Sequence, residues 1–313
     1  LKKNNVGYSK FFDMCCDFVY SNNQDLLLQI FNKVYESADA TTPVDKVKEG
    51  SNEWLTELQK YAIFSLNSNQ TGGRYTAANT NLIRFFNNYR YTIFVPSDAA
   101  IDEAISHGLP TLTKIESFVN ENYDAEKKAW KLREVNGEPE KLVLDENGKY
   151  AAPAQLEARA MITCLINFLK YHFCDQSYFV DEYADNDYSY SQSSCTDSKT
   201  NSFIPVAVRH TTNGLEVFDA RSMTNGKVAA SKASPVKVAT NDAKVFNLFA
   251  RDYELNNAST SARSIKSSSY VVVQGLKDRD FLLFDASKAN KFNDAWSSPA
   301  KAKAFLQKYR LKK

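Results

Sequence analysis

The stretch that most constrains this chain is Tyr91-Thr92-Ile93-Phe94-Val95-Pro96-Ser97-Asp98-Ala99-Ala100-Ile101. Residues 91–95 are a short, apolar, β-rich run, which predicts a strand covered on both faces. Pro96 has no N–H to give to a ladder and ends it. Ser97 is a good N-cap, and Asp98, Asp102 and Glu103 put negative charge near the positive end of the helix that follows. Gly108 and Pro110 stop that helix. A second landmark, Tyr171-His172, lies well downstream at the end of another helical pattern. The two are expected to belong to one domain.

Upstream, Phe11, Phe12, Met14, Cys15, Phe18 and Val19 recur at helical spacing, as do Leu26, Leu27, Ile30, Phe31 and Val34. They form two helices, or one broken at Asn22-Asn23. Ser51 caps a further helix with Trp54, Leu58, Tyr61 and Ala62 on its apolar face, and the polar run 67–81 reads as an exposed loop. After Pro110, Thr113 and Glu116 match a capping box ahead of Ile115, Phe118 and Val119. The charged insertion 121–153 carries Asn136-Gly137 and Asn147-Gly148 around Leu142-Val143-Leu144, which predicts a small hairpin. Pro153 opens the strongest helical pattern, with Ile162, Leu165, Ile166, Leu169 and Phe173 on one face.

From Tyr178 the period changes to two. Strands are predicted at 202–208, 215–219, 227–230, 236–239, 268–274 and 281–284, with tight turns at Asn213-Gly214 and Asn225-Gly226. Residues 246–250 fit either a strand or a helix. The tail from Ser287 ends in a basic helix that Ser298 and Pro299 begin. Helices crowd the first half and strands the second, an α+β layout rather than an alternating βαβ one. Neither half can cover its own apolar surface. We therefore expect one elaborated domain over 1–285 and a C-terminal helical extension over 286–313.

The chemistry-bearing residues are sparse. None of the three histidines, His107, His172 and His210, lies four residues from another, and no His-Glu-x-x-His pattern exists. Glycine-rich phosphate loops and a Gly-x-Ser-x-Gly elbow are missing. His172 and Cys174 come nearest to a nucleophile pair, yet two residues apart near a helix end they need not face each other, and no third group orients them. Asp175, Asp181, Glu182, Asp185 and Asp187 are dense enough for calcium but lack EF-hand spacing. With Tyr178, Tyr183, Tyr188 and Tyr190 interleaved, they read as a solvated recognition loop. No catalysis, cofactor or metal is expected.

Five cysteines, Cys15, Cys16, Cys164, Cys174 and Cys195, match no zinc pattern. They read as buried small hydrophobes, the alternative being a Cys174–Cys195 bridge. Lys plus Arg number 39 against 37 Asp plus Glu, so the chain has no global basic field to hold nucleic acid. Its C-terminal cations, Lys301 to Lys313, read as a solvated helix face. No stretch is long enough to span a bilayer. Leu1 is not a methionine, which predicts a processed or truncated start. Asn69-Gln70-Thr71 and Asn257-Ala258-Ser259 match the glycosylation pattern, as an Asn-rich chain does by chance.

Residues 92–101, Thr-Ile-Phe-Val-Pro-Ser-Asp-Ala-Ala-Ile, resemble the first motif of the fasciclin domain family. Leu169-Lys170-Tyr171-His172-Phe173 resembles the family's Tyr-His motif at a helix end. The run 268–276, Ser-Ser-Tyr-Val-Val-Val-Gln-Gly-Leu, looks like a degraded second motif: Gln274 stands where the family has His, and Tyr270-Val271 replaces Asn-Gly. The resemblance implies a wedge-shaped β-sandwich packed with helices, enlarged by insertions. It implies a secreted or surface-anchored protein, often a bacterial outer-membrane lipoprotein with its lipid anchor upstream. It implies non-catalytic adhesion to a protein or polysaccharide at the cell surface. Tyr171 and His172 then become candidate binding residues, because the pair is tied to receptor contact in some family members. The competing reading is that both pack where the helix meets the sheet. Among function classes, the runner-up is a carbohydrate-binding accessory protein whose tyrosines, with Trp54, Trp130 and Trp296, stack on sugar rings.

Overall fold

The structure, a computed structural model, describes residues 7–18, 24–35, 90–106, 108–145, 148–196, 202–241, 244–251, 254–256, 264–266, 270–278, 280 and 282. The predicted helix after Ser51, the loop 67–81, the strand 281–284 except for Leu282, the C-terminal helix, His107, Trp54, Trp296 and both glycosylation patterns lie outside the described residues.

The described chain is mixed α+β: an eight-stranded, strongly curled half-barrel sheet and five α-helices. The strands are β1 (Arg90–Val95), β2 (Phe173–Cys174), β3 (Tyr188–Thr196), β4 (Phe203–Thr211), β5 (Gly214–Phe218), β6 (Val236–Lys237), β7 (Leu248–Arg251) and β8 (Tyr270–Gly275). Their order is β6-β5-β4-β3-β2-β1-β8-β7. Only β1 and β8 pair in parallel, from Arg90 opposite Tyr270 to Val95 opposite Gly275. The strand from the helical half thus lies inside the sheet that the second half builds.

The helices are α1 (Lys10–Asp17), α2 (Gln24–Tyr35), α3 (Asp98–Ser106), α4 (Leu112–Asn122) and α5 (Pro153–Tyr171). Their apolar faces and one face of β1 share a core of Phe11, Phe31, Ile93, Val95, Ile101, Ile115, Leu165 and their neighbours. The next residue along the strand, Phe94, turns the other way into a second core with Tyr171, Val206, Val208, Val217 and Leu282. β1 is therefore buried on both faces, as its unbroken apolar run predicts. Ser97 caps α3 by accepting from the Ala100 N–H at 3.1 Å. Gly108, at φ +98°, ends it in the left-handed conformation. Asp98 has a further duty: its carboxylate caps α1, accepting from the Lys10 N–H at 2.7 Å and the Ser9 hydroxyl at 3.3 Å.

Several expectations need correction. α4 is capped by Thr111, whose hydroxyl accepts from the Lys114 N–H at 3.2 Å, and not by Thr113. Thr111 alone has the extended backbone an N-cap needs; Thr113 is already inside the helix. Three hairpins, not one, fill the insertion, pairing Tyr123–Asp124 with Ala129–Trp130, Glu134–Val135 with Glu138–Pro139, and Val143–Leu144 with Tyr150–Ala151. Asn136 and Gly137 both have positive φ, as a type I′ turn requires. Asn213-Gly214 is not the β4–β5 turn, because Thr211 pairs with Gly214 and leaves Thr212 and Asn213 as the loop.

α5 is buried nearly all round rather than on one stripe. Its polar side chains are satisfied by the C-terminus of α2 and by the insertion. Arg159 donates to the Val34 carbonyl at 2.8 Å and to Asp145 at 2.7 Å, and Gln155 donates to Val34 at 3.1 Å. Trp130 Nε1 donates to the Lys33 carbonyl at 2.8 Å. The end carbonyls of α2, which no helical N–H reaches, thereby find partners, and a cation sits at the negative end of the helix dipole.

Candidate functional site

Tyr171 and His172 sit where α5 ends and β2 begins. The helix closes at Leu169, whose carbonyl accepts from the His172 N–H at 3.2 Å. The next two residues, Phe173 and Cys174, enter the sheet beside β1. Both members of the pair are fully buried. The Tyr171 hydroxyl donates to the Pro205 carbonyl of β4 at 3.0 Å and accepts from the Ala220 N–H at 2.8 Å. Burial, with the nearby Asp219 carboxylate adding to it, pushes its phenol well above the ordinary value.

His172 is held at both ring nitrogens. Nδ1 lies 2.8 Å from the Phe168 carbonyl, and Nε2 accepts from the Leu282 N–H at 3.0 Å. A carbonyl can only accept and an amide N–H can only donate, so the proton is on Nδ1 and the ring is neutral. The rings of Phe11 and Phe168 flank it, with centroids at 5.2 and 4.7 Å. Burial lowers its pKa to about 4, against a smaller opposing effect of the Phe168 carbonyl. Cys174 cannot act with it as a nucleophile pair: burial drives the thiol far from ionisation, and His172 Nε2 is occupied by Leu282.

The run after β2 is tied down from below. Thr92 of β1 donates to the Gln176 carbonyl at 2.7 Å and accepts from the Tyr178 N–H at 2.9 Å. Gln274 of β8, fully buried, donates to the Tyr178 carbonyl at 2.7 Å and to Asn247 at 2.8 Å. Asn247 in turn accepts from the Val180 N–H and donates to Asp181. His210 Nε2 lies 2.9 Å from the Phe179 carbonyl and 3.1 Å from the Glu182 carboxylate. The acids that suggested calcium are spread out: Asp175 accepts from the Gln192 N–H, Asp185 from the Asp187 N–H, and Glu182 from the Phe179 N–H. Among the described residues no three His, Cys, Asp or Glu side chains gather to hold a metal ion.

The tyrosines separate into different environments. Tyr178 is buried, with its phenol raised to about 12 chiefly by burial. Tyr183 is 86% exposed. Tyr188 and Tyr190 are on β3, the nine-residue strand that its serines concealed in the sequence. The Arg209 guanidinium lies over Tyr188 at 5.1 Å and the Lys227 ammonium over Tyr190 at 4.4 Å. Trp130 is buried with its Nε1 bonded. All five cysteines are free thiols, four of them buried, and Cys174 and Cys195 are not bridged.

The concentration of exposed apolar side chains is in the insertion. Leu132, Val135, Leu142, Val143, Leu144 and Tyr150 are each 39–52% exposed. Leu144 and Tyr150 are cross-strand partners. The triplet Leu142-Val143-Leu144 signalled this patch in the sequence, where it read as a hairpin core.

No described helix is long and apolar enough to cross a membrane. Comparisons with protein-family models, with curated proteins and with solved structures found no match.

Proposed function

We propose that the chain is a fasciclin-type interaction module, non-catalytic and displayed outside the cytoplasm, that contacts a partner through its hairpin insertion. One observation carries the reading. The three stretches that resemble fasciclin motifs are far apart in sequence and hydrogen-bonded to one another in space. β1 pairs with β8 along its whole length, the Phe94 N–H donates to the His172 carbonyl at 2.9 Å, and Ile93 lies opposite Phe173. Holding such a junction together is the task of a scaffold, and the buried Tyr171 and His172 serve it.

The partner surface is then the insertion. Its exposed large apolar side chains are aliphatic except for Tyr150, which favours a protein partner over a polysaccharide. Sugar stacking needs open aromatic faces, and those of Tyr188 and Tyr190 carry cations. A photo-crosslinker at position 144, on the full chain displayed to cells that express it, should capture one protein, and Val135→Asp should abolish capture. Tight binding on a glycan array, lost on Tyr183→Ala, would instead support the carbohydrate-binding reading.

A further inference from the structure

We propose that the described residues after β8, Leu276, Lys277, Asp278, Asp280 and Leu282, form an acid-released strap and that His172 is its fastening. The stretch is held at successive points. The Leu276 N–H donates to the Val95 carbonyl at 2.8 Å, and the Lys277 N–H to the Lys237 carbonyl at 2.8 Å. Ser97 donates to the Asp278 carboxylate at 3.0 Å, and the Lys237 N–H to Asp280 at 3.3 Å. At its far end the Leu282 N–H donates to His172 Nε2, and the Leu282 side chain is fully buried against the core of Phe94 and Tyr171.

That last bond differs in kind from the others. Its acceptor is a lone pair that a proton removes, after which two N–H groups would face each other in a site that water does not reach. The acid-sensitive contact therefore turns from attraction to repulsion without any change elsewhere in the ring's surroundings. Phe11 of α1, Phe168 of α5 and Phe94 of β1 surround the imidazole or its backbone. The titratable groups are Lys10, Asp13, Cys15, Cys16 and Asp17 on α1, Glu157, Arg159, Cys164, Lys170 and Tyr171 on α5, Arg90 and Tyr91 on β1, and Lys277, Asp278 and Asp280 on the strap. None of them adds to the proton affinity of His172, which burial lowers and the Phe168 carbonyl raises. Asp280 acts in the same sense as His172: burial raises its pKa, so acid neutralises the carboxylate that holds the Lys237 N–H.

Opening frees His172 to take a proton at its ordinary value of 6.5, while the closed state resists until about 4. The opening equilibrium should therefore rise about 150-fold between neutral pH and pH 4, approaching about 300-fold in stronger acid. Release opens the second core at Leu282 and leaves the β1–β8 ladder paired.

Amide hydrogen exchange on the full chain, corrected for intrinsic rates, tests this. The Leu282 amide should be protected at pH 7 and open at pH 4, while Ile93 and Val273 stay protected. In His172→Gln, whose side chain does not titrate, Leu282 protection should lose most of its pH dependence and keep only the smaller part that Asp280 supplies. Opening of Leu282 together with Val273 at every pH, or unchanged pH dependence in the variant, would overturn the proposal. If the variant does not fold, nitrogen NMR of the native imidazole decides: the strap requires an unprotonated Nε2 at pH 7 and a midpoint near 4, and a ring protonated at Nε2 at pH 7 would overturn it.

Discussion

At the scale of single residues, His172 shows how a side chain that reads as a contact residue becomes part of a scaffold. Its charge state is fixed by what its neighbours can do: one can only accept and one can only donate. The consequence for stability has a definite sign. The folded state binds the proton more weakly than the unfolded chain, so stability is full above pH 6.5 and falls as pH drops toward about 4. The loss over that window is about 3 kcal/mol, at 1.36 kcal/mol per unit of pKa difference. Urea denaturation from pH 7.5 to 4 should show this decline, and His172→Gln should flatten the slope. The sequence makes His172 visible through its Tyr neighbour and its place at a helix end. It does not reveal the Leu282 N–H, because the bond joins residues 110 apart.

At the scale of elements, local patterns were legible wherever chain neighbours decide the structure. The Pro96 stop, the Ser97 cap, the Gly108 terminus and the Pro153 start all follow from residues adjacent in sequence. Legibility fails where tertiary partners decide. β3, Tyr-Ser-Tyr-Ser-Gln-Ser-Ser-Cys-Thr, has little apolar content, yet β2 and β4 on either side of it supply its hydrogen bonds. α5 shows one apolar face in the sequence, and only the fold provides the buried partners of Gln155, Glu157 and Arg159. The corrected cap of α4 makes a direct prediction. Thr111→Ala should cost about 1 kcal/mol in a thermal or denaturant melt, and Thr113→Ala should be nearly neutral. At the end of β8, a Cβ on Gly275 would meet the Val245 carbonyl oxygen at 2.7 Å and the Tyr8 ring at 3.0 Å. Because one obstacle is backbone, Gly275→Ala should cost about 1–3 kcal/mol. At Gly137, by contrast, nothing lies within 4 Å, and Gly137→Ala should cost only what its positive φ imposes, on the order of 1 kcal/mol.

At the scale of the whole molecule, the buried junction and the proposed contact surface separate. The junction of β1, β8 and the end of α5 lies inside the molecule, with Tyr171 and His172 bonded to backbone on other elements. The exposed apolar residues lie in the hairpins between α4 and α5, anchored at the buried Asp145–Arg159 ion pair. The measurement that most directly tests this division pairs two variants, Tyr171→Phe and Leu144→Asp. Thermal stability and the attachment of protein-coated beads to cells that express the protein are recorded for each. Tyr171→Phe strands the Pro205 carbonyl and the Ala220 N–H, so it should lose about 1–3 kcal/mol of stability while folded molecules attach normally. Leu144→Asp should keep the native melting temperature and lose attachment. The reverse pattern, with attachment lost in a fully stable Tyr171→Phe and kept in Leu144→Asp, would contradict the assignment of scaffold and contact surface.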